Sequence, residues 1–387
     1  MSWEQAPPPS GIRRWLLPVI AGAVTVAAAG LVLAARSNES GRLVVGPSSA
    51  SPQAPSAADP TTLAPQSLGP VEVRSETAGD GALLDGSPEL TIVAARRQTL
   101  AFIDTATGDV RDVRLPQSSL AAAGIGAMFV AGSDLIINHG GAVLRLKPDN
   151  RESLQVVEDR RAIPTFDDTS LWVFDRLRQA VPGTATRVTP EGAVLDHVRL
   201  PAVARPVAGT AGGLVVSAPG GISVVSGEGA RAITAGELIA SDGERIARTE
   251  CAVDCLVVLG TIDDPDQVRA PLADADIPAG YYGLPTGAFS PDGRWLAFPV
   301  YRIGGSGALE QPWIAIIDTV TGAEVSRIQG AFAQISSVLP LAWSPDSQWL
   351  FVSSADGITA WSATTRDAAP LGLDIEPPRG IAVLPTG

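Results

Sequence analysis

The chain reads as an all-β protein, a seven-bladed β-propeller of four-stranded blades preceded by one transmembrane helix and a disordered linker. Three observations carry this reading. Two kinds of hairpin recur: FSPDGRWLAF at 289–298 with WSPDSQWLFV at 343–352, and IDTATGDV at 103–110 with IDTVTGAEV at 317–325. From residue 88 onward, short apolar runs bounded by Gly, Pro, Asp or Asn follow one another. A single uncharged apolar stretch stands apart at 15–35.

In the first hairpin, Pro at the first corner and Asp beside it suit a type I turn, and the residues that follow alternate as a strand does. In the second, Thr-Gly closes a turn between two strands. Four-stranded units holding these hairpins tile the region at a mean period of roughly 40 residues. Blade 1 covers about 89–116, blade 2 124–158, blade 3 162–201, blade 4 203–234, blade 5 237–272, blade 6 287–329 and blade 7 338–373. Blade 1 supplies only three strands of its own, and GIAVLP at 380–385 is the expected missing innermost strand. Closure of that kind leaves no long unpaired edge. Composition agrees: Gly and Pro number 40 and 32, and charged residues make up 18%, a mix suited to short strands and tight turns.

Residues 15–35, WLLPVIAGAVTVAAAGLVLAA, would span roughly 30 Å as a helix, about the hydrocarbon thickness of a bilayer. Arg13 and Arg14 precede the stretch and only Arg36 follows closely. This asymmetry predicts a cytoplasmic tail at 1–14, a signal-anchor helix at 15–35 and a single-pass cell-membrane protein with its propeller extracytoplasmic. A cleaved secretory signal is the other reading of the same stretch. Residues 36–87, rich in Ser, Pro and Ala, show no apolar periodicity and are expected to form a disordered linker before a propeller domain at 88–387.

The SPDG repeats resemble those of TolB-like and WD40-like propellers, and the DTxTG turns resemble those of surface YVTN-type propellers. The resemblance implies an architecture and a habit of binding partners, and it implies no reaction. Its motifs cover blades 1, 6 and 7, with a weaker echo in SDGERIAR at 241–248. The Gly-His and Trp-Asp signatures of WD40 repeats are absent.

Little in the chain suggests catalytic or metal chemistry. The two histidines, His139 and His197, have no Cys, Asp or Glu at ligand spacing, so no metal site is expected. Asp263, Asp264 and Asp266 lack the Gly-turned spacing of a calcium loop and read as solvated turn carboxylates. No phosphate loop, nucleophile elbow or dinucleotide fingerprint follows a strand, so no cofactor and no enzymatic activity are expected. The formal charge of −13 comes without a basic cluster, which argues against nucleic acid. Cys251 and Cys255 flank a turn of blade 5, and in an exported domain they are expected to form a disulfide contributing about 2 kcal/mol. A CxxxC metal or redox site is the alternative.

In a four-stranded blade, the second-to-third turn and the link to the next blade emerge on one face of the disc. The longest insertions, 272–287 and 301–312, fall there and hold Tyr281, Tyr282 and Tyr301, with Arg302 and Phe332 close in the blade layout. These five form the candidate binding site, because long loops on a rigid scaffold carry binding and tyrosine is a good contact residue. The same aromatics also fit a purely packing role between blades 5 and 6. The expected function is a membrane-anchored extracytoplasmic scaffold for a protein or cell-envelope ligand, with residues 15–35 in the bilayer. The alternatives are a propeller-type envelope enzyme, such as a lyase or dehydrogenase, and a sensory subunit of a membrane complex.

Overall fold

The computed structural model describes residues 66–385 except 68–70, 87, 97–98, 116–124, 140–141, 148–154, 158–159, 166, 168, 176–181, 219, 252–254, 272–276, 279–286, 302–312 and 331–340. The tail at 1–14 and the apolar stretch at 15–35 lie outside those residues. Among the described residues, no helix is long and apolar enough to cross a membrane.

The described chain forms seven antiparallel sheets, each built from four consecutive strands or an elaboration of that plan. Both faces of a blade pack against neighbours, so a middle strand such as Trp313–Asp318 is buried along its whole length. Alternation then decides which neighbour each side chain meets. In blade 6, Leu296 and Phe298 pack toward blade 5, while Trp295 and Ala297 pack toward blade 7. The buried apolar residues fall into seven clusters, one at each seam between successive blades. Seven seams require a closed ring of seven blades.

Ring order is visible at the centre. Gly380–Pro385 touches Ile125–Ala131, and contact passes in turn through Arg160–Pro164, Arg205–Thr210, Glu237–Ser241, Ala288–Phe289 and Leu341–Trp343 back to Gly380–Pro385. The closing strand pairs antiparallel with Leu90–Ala95, in register from Leu90 opposite Pro385 to Ala95 opposite Gly380. The seven-blade layout and the closing strand therefore stand as the sequence predicts them.

Two details differ. Strand structure begins before residue 88, inside the stretch expected to be linker: Glu72–Thr77 adds a fifth strand to the outer edge of blade 1, and Gln66–Ser67 adds one to blade 2. The first of these is exposed at five of its six positions, because a rim strand is held by backbone pairing and needs no apolar face. In blade 6 the innermost position is shared: Ala288–Phe289 pairs with one end of Trp295–Tyr301, and Ile277–Pro278 with the other.

The seams are unequal. Among the described residues, fourteen buried apolar residues fill the seam between blades 1 and 2, and four fill that between blades 4 and 5. The blade 6–7 seam stacks Trp361 edge-on against Trp295 and Trp343, with ring centres 5.7 and 5.9 Å apart. At the blade 2–3 seam, Arg145 pairs with Asp134 of its own blade and reaches Glu191 at 3.0 Å and the Pro190 carbonyl at 2.9 Å in blade 3.

Closure predicts a sharp response to truncation. A chain ending at residue 379 is expected to lose its cooperative thermal transition, because blade 1 then exposes the edge of Leu90–Ala95 and two seams lose buried side chains, among them Ile381 and Leu384. Calorimetry of both chains checks this.

Candidate functional site

Strand direction divides the disc into two faces. At one, the first strand of each blade meets the second and the third meets the fourth; this is called the cap face below. At the other, the second meets the third and the fourth leads to the next blade; this is the link face.

The cap face is a ring of short turns closed by their own side chains. In blade 6, the Ser290 hydroxyl accepts from the Trp295 amide at 2.9 Å and donates to Asp292 at 2.6 Å, and Asp292 accepts from the Arg294 amide at 3.0 Å. Blade 7 repeats the turn with Ser344 and Asp346. Blade 3 builds it from Thr165 and Asp167 with the Ser170 amide, although its sequence there shares neither the proline nor the glycine of SPDG. In the second kind of turn, Asp318 accepts from the Val320 and Thr321 amides at 3.0 and 3.2 Å, and Asp104 accepts from those of Ala106 and Thr107 at 2.8 and 3.2 Å. A third copy lies at Ser362–Asp367, where Arg366 holds φ 63° at the position filled by Gly108 and Gly322 in the other two.

These turns also lock blade to blade. Arg245 of blade 5 is ion-paired to Asp242 and lies over the Phe289 ring of blade 6 at 5.5 Å. The Asp292 amide of blade 6 donates to the Ser347 hydroxyl of blade 7 at 2.9 Å. Three of these carboxylates, Asp167, Asp292 and Asp318, are held below the usual range. The Thr165 hydroxyl keeps Asp167 below the usual carboxylate range. Burial pushes Asp292 and Asp318 up, but hydrogen bonds outweigh it and leave both lowered: Ser290 and the Arg294 amide for Asp292, the Arg294 guanidinium and the Thr321 and Val320 amides for Asp318.

The link face has a different construction. Strand ends there are joined by 115–124, 176–182, 302–312, 329–340 and 371–379, whereas most cap-face connections are short turns. Of the predicted site residues, Tyr301 ends the second strand of blade 6 with its backbone opposite Ile277, at the link face. Tyr281, Tyr282, Arg302 and Phe332 lie outside the described residues. Cys251 and Cys255 face each other across the second and third strands of blade 5, at the link face. Their side chains are not among those described, so the backbone register is what bears on the expected disulfide.

Other link-face groups were not singled out by sequence. Asn138 clamps blade 2 to blade 3: its carbonyl accepts from the Ala162 amide at 2.7 Å and its amide donates to the Ala162 carbonyl at 2.9 Å. Arg160, Arg161 and Arg205 open the innermost strands of blades 3 and 4, and Arg379 immediately precedes the closing strand. Isolated arginines scattered through a sequence give no signal; ring order is what gathers them. His139 is buried at the end of a blade 2 strand, opposite Ile125, and His197 is exposed on the outer strand of blade 3. Among the described residues, no His, Cys, Asp or Glu group is arranged to hold a metal ion. Asp263 and Asp266 are instead paired with Arg231 and Arg248.

No family model matches the chain, and no curated protein matches it by sequence. Several solved structures are similar to it at low identity. Kuenenia stuttgartiensis hydrazine synthase is 14% identical with a TM-score of 0.45, over 62% of this chain and 76% of that one. TolB from Acinetobacter baumannii is 13% identical at 0.44, over 77% and 66%. The dihydro-heme d1 dehydrogenase NirN is 13% identical at 0.44, over 79% of each chain. TolB's presence accords with the TolB-like resemblance of the repeats. The expectation that the chain is not an enzyme is corrected here: two of these three structures are enzymes by name.

Two predictions follow from the cap face. Carboxylates lowered in the fold contribute stability that is complete above their ordinary pKa, 3.8 for Asp, and is lost as pH falls through the folded value. The thermal midpoint is therefore expected to be flat from about pH 7 to 5 and to drop below about pH 4, with a shallower drop for Asp292→Asn. Gly293 sits at φ +72° with Arg245 Nη1 where a Cβ would go, 0.8 Å away. Gly293→Ala should therefore cost about 1–2 kcal/mol in denaturant unfolding, from left-handed strain plus displacement of Arg245.

Proposed function

We propose that this protein is an exported, membrane-tethered propeller that engages a protein or cell-envelope ligand through its link face. The observation that carries the reading is the asymmetry of the disc. Cap-face turns spend their hydroxyls and carboxylates on their own backbones and on neighbouring blades, which makes that face a rigid support. Long connections between strand ends concentrate on the link face, and loops of that kind on a rigid scaffold are where binding resides.

The tether is the apolar segment at 15–35, with Arg13 and Arg14 on its cytoplasmic side. Export suits the cysteine pair, since directly opposed positions on adjacent antiparallel strands bring two cysteines within bridging reach. Tyr281, Tyr282 and Tyr301 supply contact residues in this reading, with Arg302 and Phe332 beside them.

Two measurements test it. The full chain is expected to resist carbonate extraction from membranes, to be cut by external protease beyond residue 36, and to take up alkylating reagent at both cysteines only after reduction. Release by carbonate, or protection from protease, removes the tether. For the face, cross-linking in intact cells should lose a defined adduct in the Tyr281→Ala, Tyr282→Ala, Tyr301→Ala variant and retain it in the cap-face variant Val320→Ser. An adduct lost only from the cap-face variant transfers the site to the opposite face.

A further inference from the structure

We infer that the outer edge of blade 1 is a strand-recognition site whose occupant exchanges between two copies of this chain, each copy's Glu72–Thr77 pairing with the other's Val110–Arg114. The site lies on the rim of the disc and is independent of the tether and the link face. Three observations carry it.

The first is that this edge lacks the devices that block the others. Unpaired outer strands invite other chains, and natural sheets guard them with bulges or proline. Among the described strands, the fourth strands of blades 3, 4 and 6 shift register against their neighbours, between Arg187 and Val188, Ile222 and Ser223, and Ile316 and Ile317. Those of blades 5 and 7 end at Pro271 and Pro370, which have no amide to donate. Val110–Arg114 has neither device: it pairs in unbroken register with Thr99–Asp104 and contains no proline. Its guard is Glu72–Thr77. Blade 2 is built in the same way, but its covering strand is only Gln66–Ser67.

The second is that the covering strand meets the edge as a charge code. Glu72 lies opposite Arg114, Val73 opposite Val113, Ser75 opposite Asp112 and Glu76 opposite Arg111. The Ser75 hydroxyl donates to Asp112 at 3.2 Å. Opposite charges directly across an antiparallel pair favour this register, and like charges disfavour it. Every copy of the chain carries the matching strand, so a second copy is the occupant that this edge recognises.

The third is that the acceptor is organised from within blade 1, whereas the occupant is not. Asp112 is paired with Arg96 at 3.2 Å, and Arg111 lies over the Phe102 ring at 5.0 Å. Neither contact uses the covering strand. Glu72–Thr77 is exposed at five of its six positions, and Ala78 after it is exposed as well. From Gly79 the chain is fixed on the cap-face turn of blade 1: the Gly79 amide donates to Asp109 at 2.8 Å, and the Gly81 amide to the Thr107 carbonyl at 3.1 Å. A Cβ on Gly79 would lie 2.2 Å from that carbonyl oxygen, so the approach is close. Ala78 is therefore the pivot. A strand that opens there gives up its rim ladder and regains the same ladder on a second copy, with the two copies rim to rim at blade 1.

The test uses full chains in detergent carrying either Glu72→Arg with Glu76→Arg, or Arg111→Glu with Arg114→Glu. In each variant alone, strand and edge carry like charge, both within a copy and between copies. In an equal mixture, each strand finds its match only on the other variant. Sedimentation is expected to show about tenfold more dimer in the mixture than in either variant alone, the factor that a few restored cross-strand charge pairs correspond to. Native mass spectrometry should find one copy of each variant in that dimer. A mixture no more dimeric than its components overturns the inference, as does a dimer of two identical variants, which uses another surface. Melting curves check that both variants fold. If either does not, the wild-type chain and a labelled peptide of residues 71–78 carry the test: the peptide is expected to bind saturably, and its Glu72→Arg, Glu76→Arg form about tenfold more weakly. Equal binding of the two peptides, or none, overturns the charge code. Peptide capture without mixed dimers assigns the edge to a segment of a different protein and overturns the second copy as its occupant.

Discussion

The pairing of Gly380–Pro385 with Leu90–Ala95 joins the two ends of the chain's ring, and the remaining architecture presupposes it. A blade with both faces buried has no stability of its own, because each apolar face needs the next blade. Six seams form between blades that are consecutive in the chain. The seventh, between blades 7 and 1, exists only if the C-terminal strand completes a sheet begun near the N-terminus. That contact has the longest sequence separation in the protein and pins the whole ring.

Once the ring is closed, the seams need not be equally apolar. Where side chains are large, as at Trp295, Trp343 and Trp361, packing suffices. Arginines also cross two of the seams: Arg145 from blade 2 to blade 3, and Arg231 to Asp263 from blade 4 to blade 5. The two kinds of contact differ in weight. Arg145 and Asp134 are both largely withdrawn from water, so removing one leaves the other as a costly, poorly compensated buried charge, whereas Glu191 is exposed. Arg231 and Asp263 are both exposed and contribute little. Among the described residues, the blade 4–5 seam holds four buried apolar residues, with Val207, Val224, Ile233 and Ile262 partly buried against them.

Much of this was legible in the sequence, for reasons that differ by element. Blades 6 and 7 announced themselves because Ser-Pro-Asp is a turn whose chemistry lies in three adjacent letters. The closing strand was legible as the piece blade 1 lacked. Blade 3 uses the same hydroxyl-and-carboxylate turn, but Thr165 replaces serine and the proline is gone, so the function of the residues survives while their spelling does not. Glu72–Thr77 was hidden because a rim strand pairs through its backbone and shows no apolar alternation. The candidate site fared differently. Tyr301 lies at the predicted face, while Tyr281, Tyr282, Arg302 and Phe332 lie outside the described residues. The link-face arginines were invisible because residues as far apart as Arg114 and Arg379 become neighbours in a sector only after seven blades close.

The central claim is that ring closure makes the propeller one cooperative unit. Residue-resolved hydrogen exchange across a denaturant series measures it most directly, by comparing amides of the closing strand with those of Trp313–Asp318, two blades away in blade 6. The account predicts that both sets open with the same free energy and the same denaturant dependence, since neither can open without the ring. Closing-strand amides that open at a much lower free energy, while Trp313–Asp318 stays protected, would show that the blades hold together without closure and contradict the account.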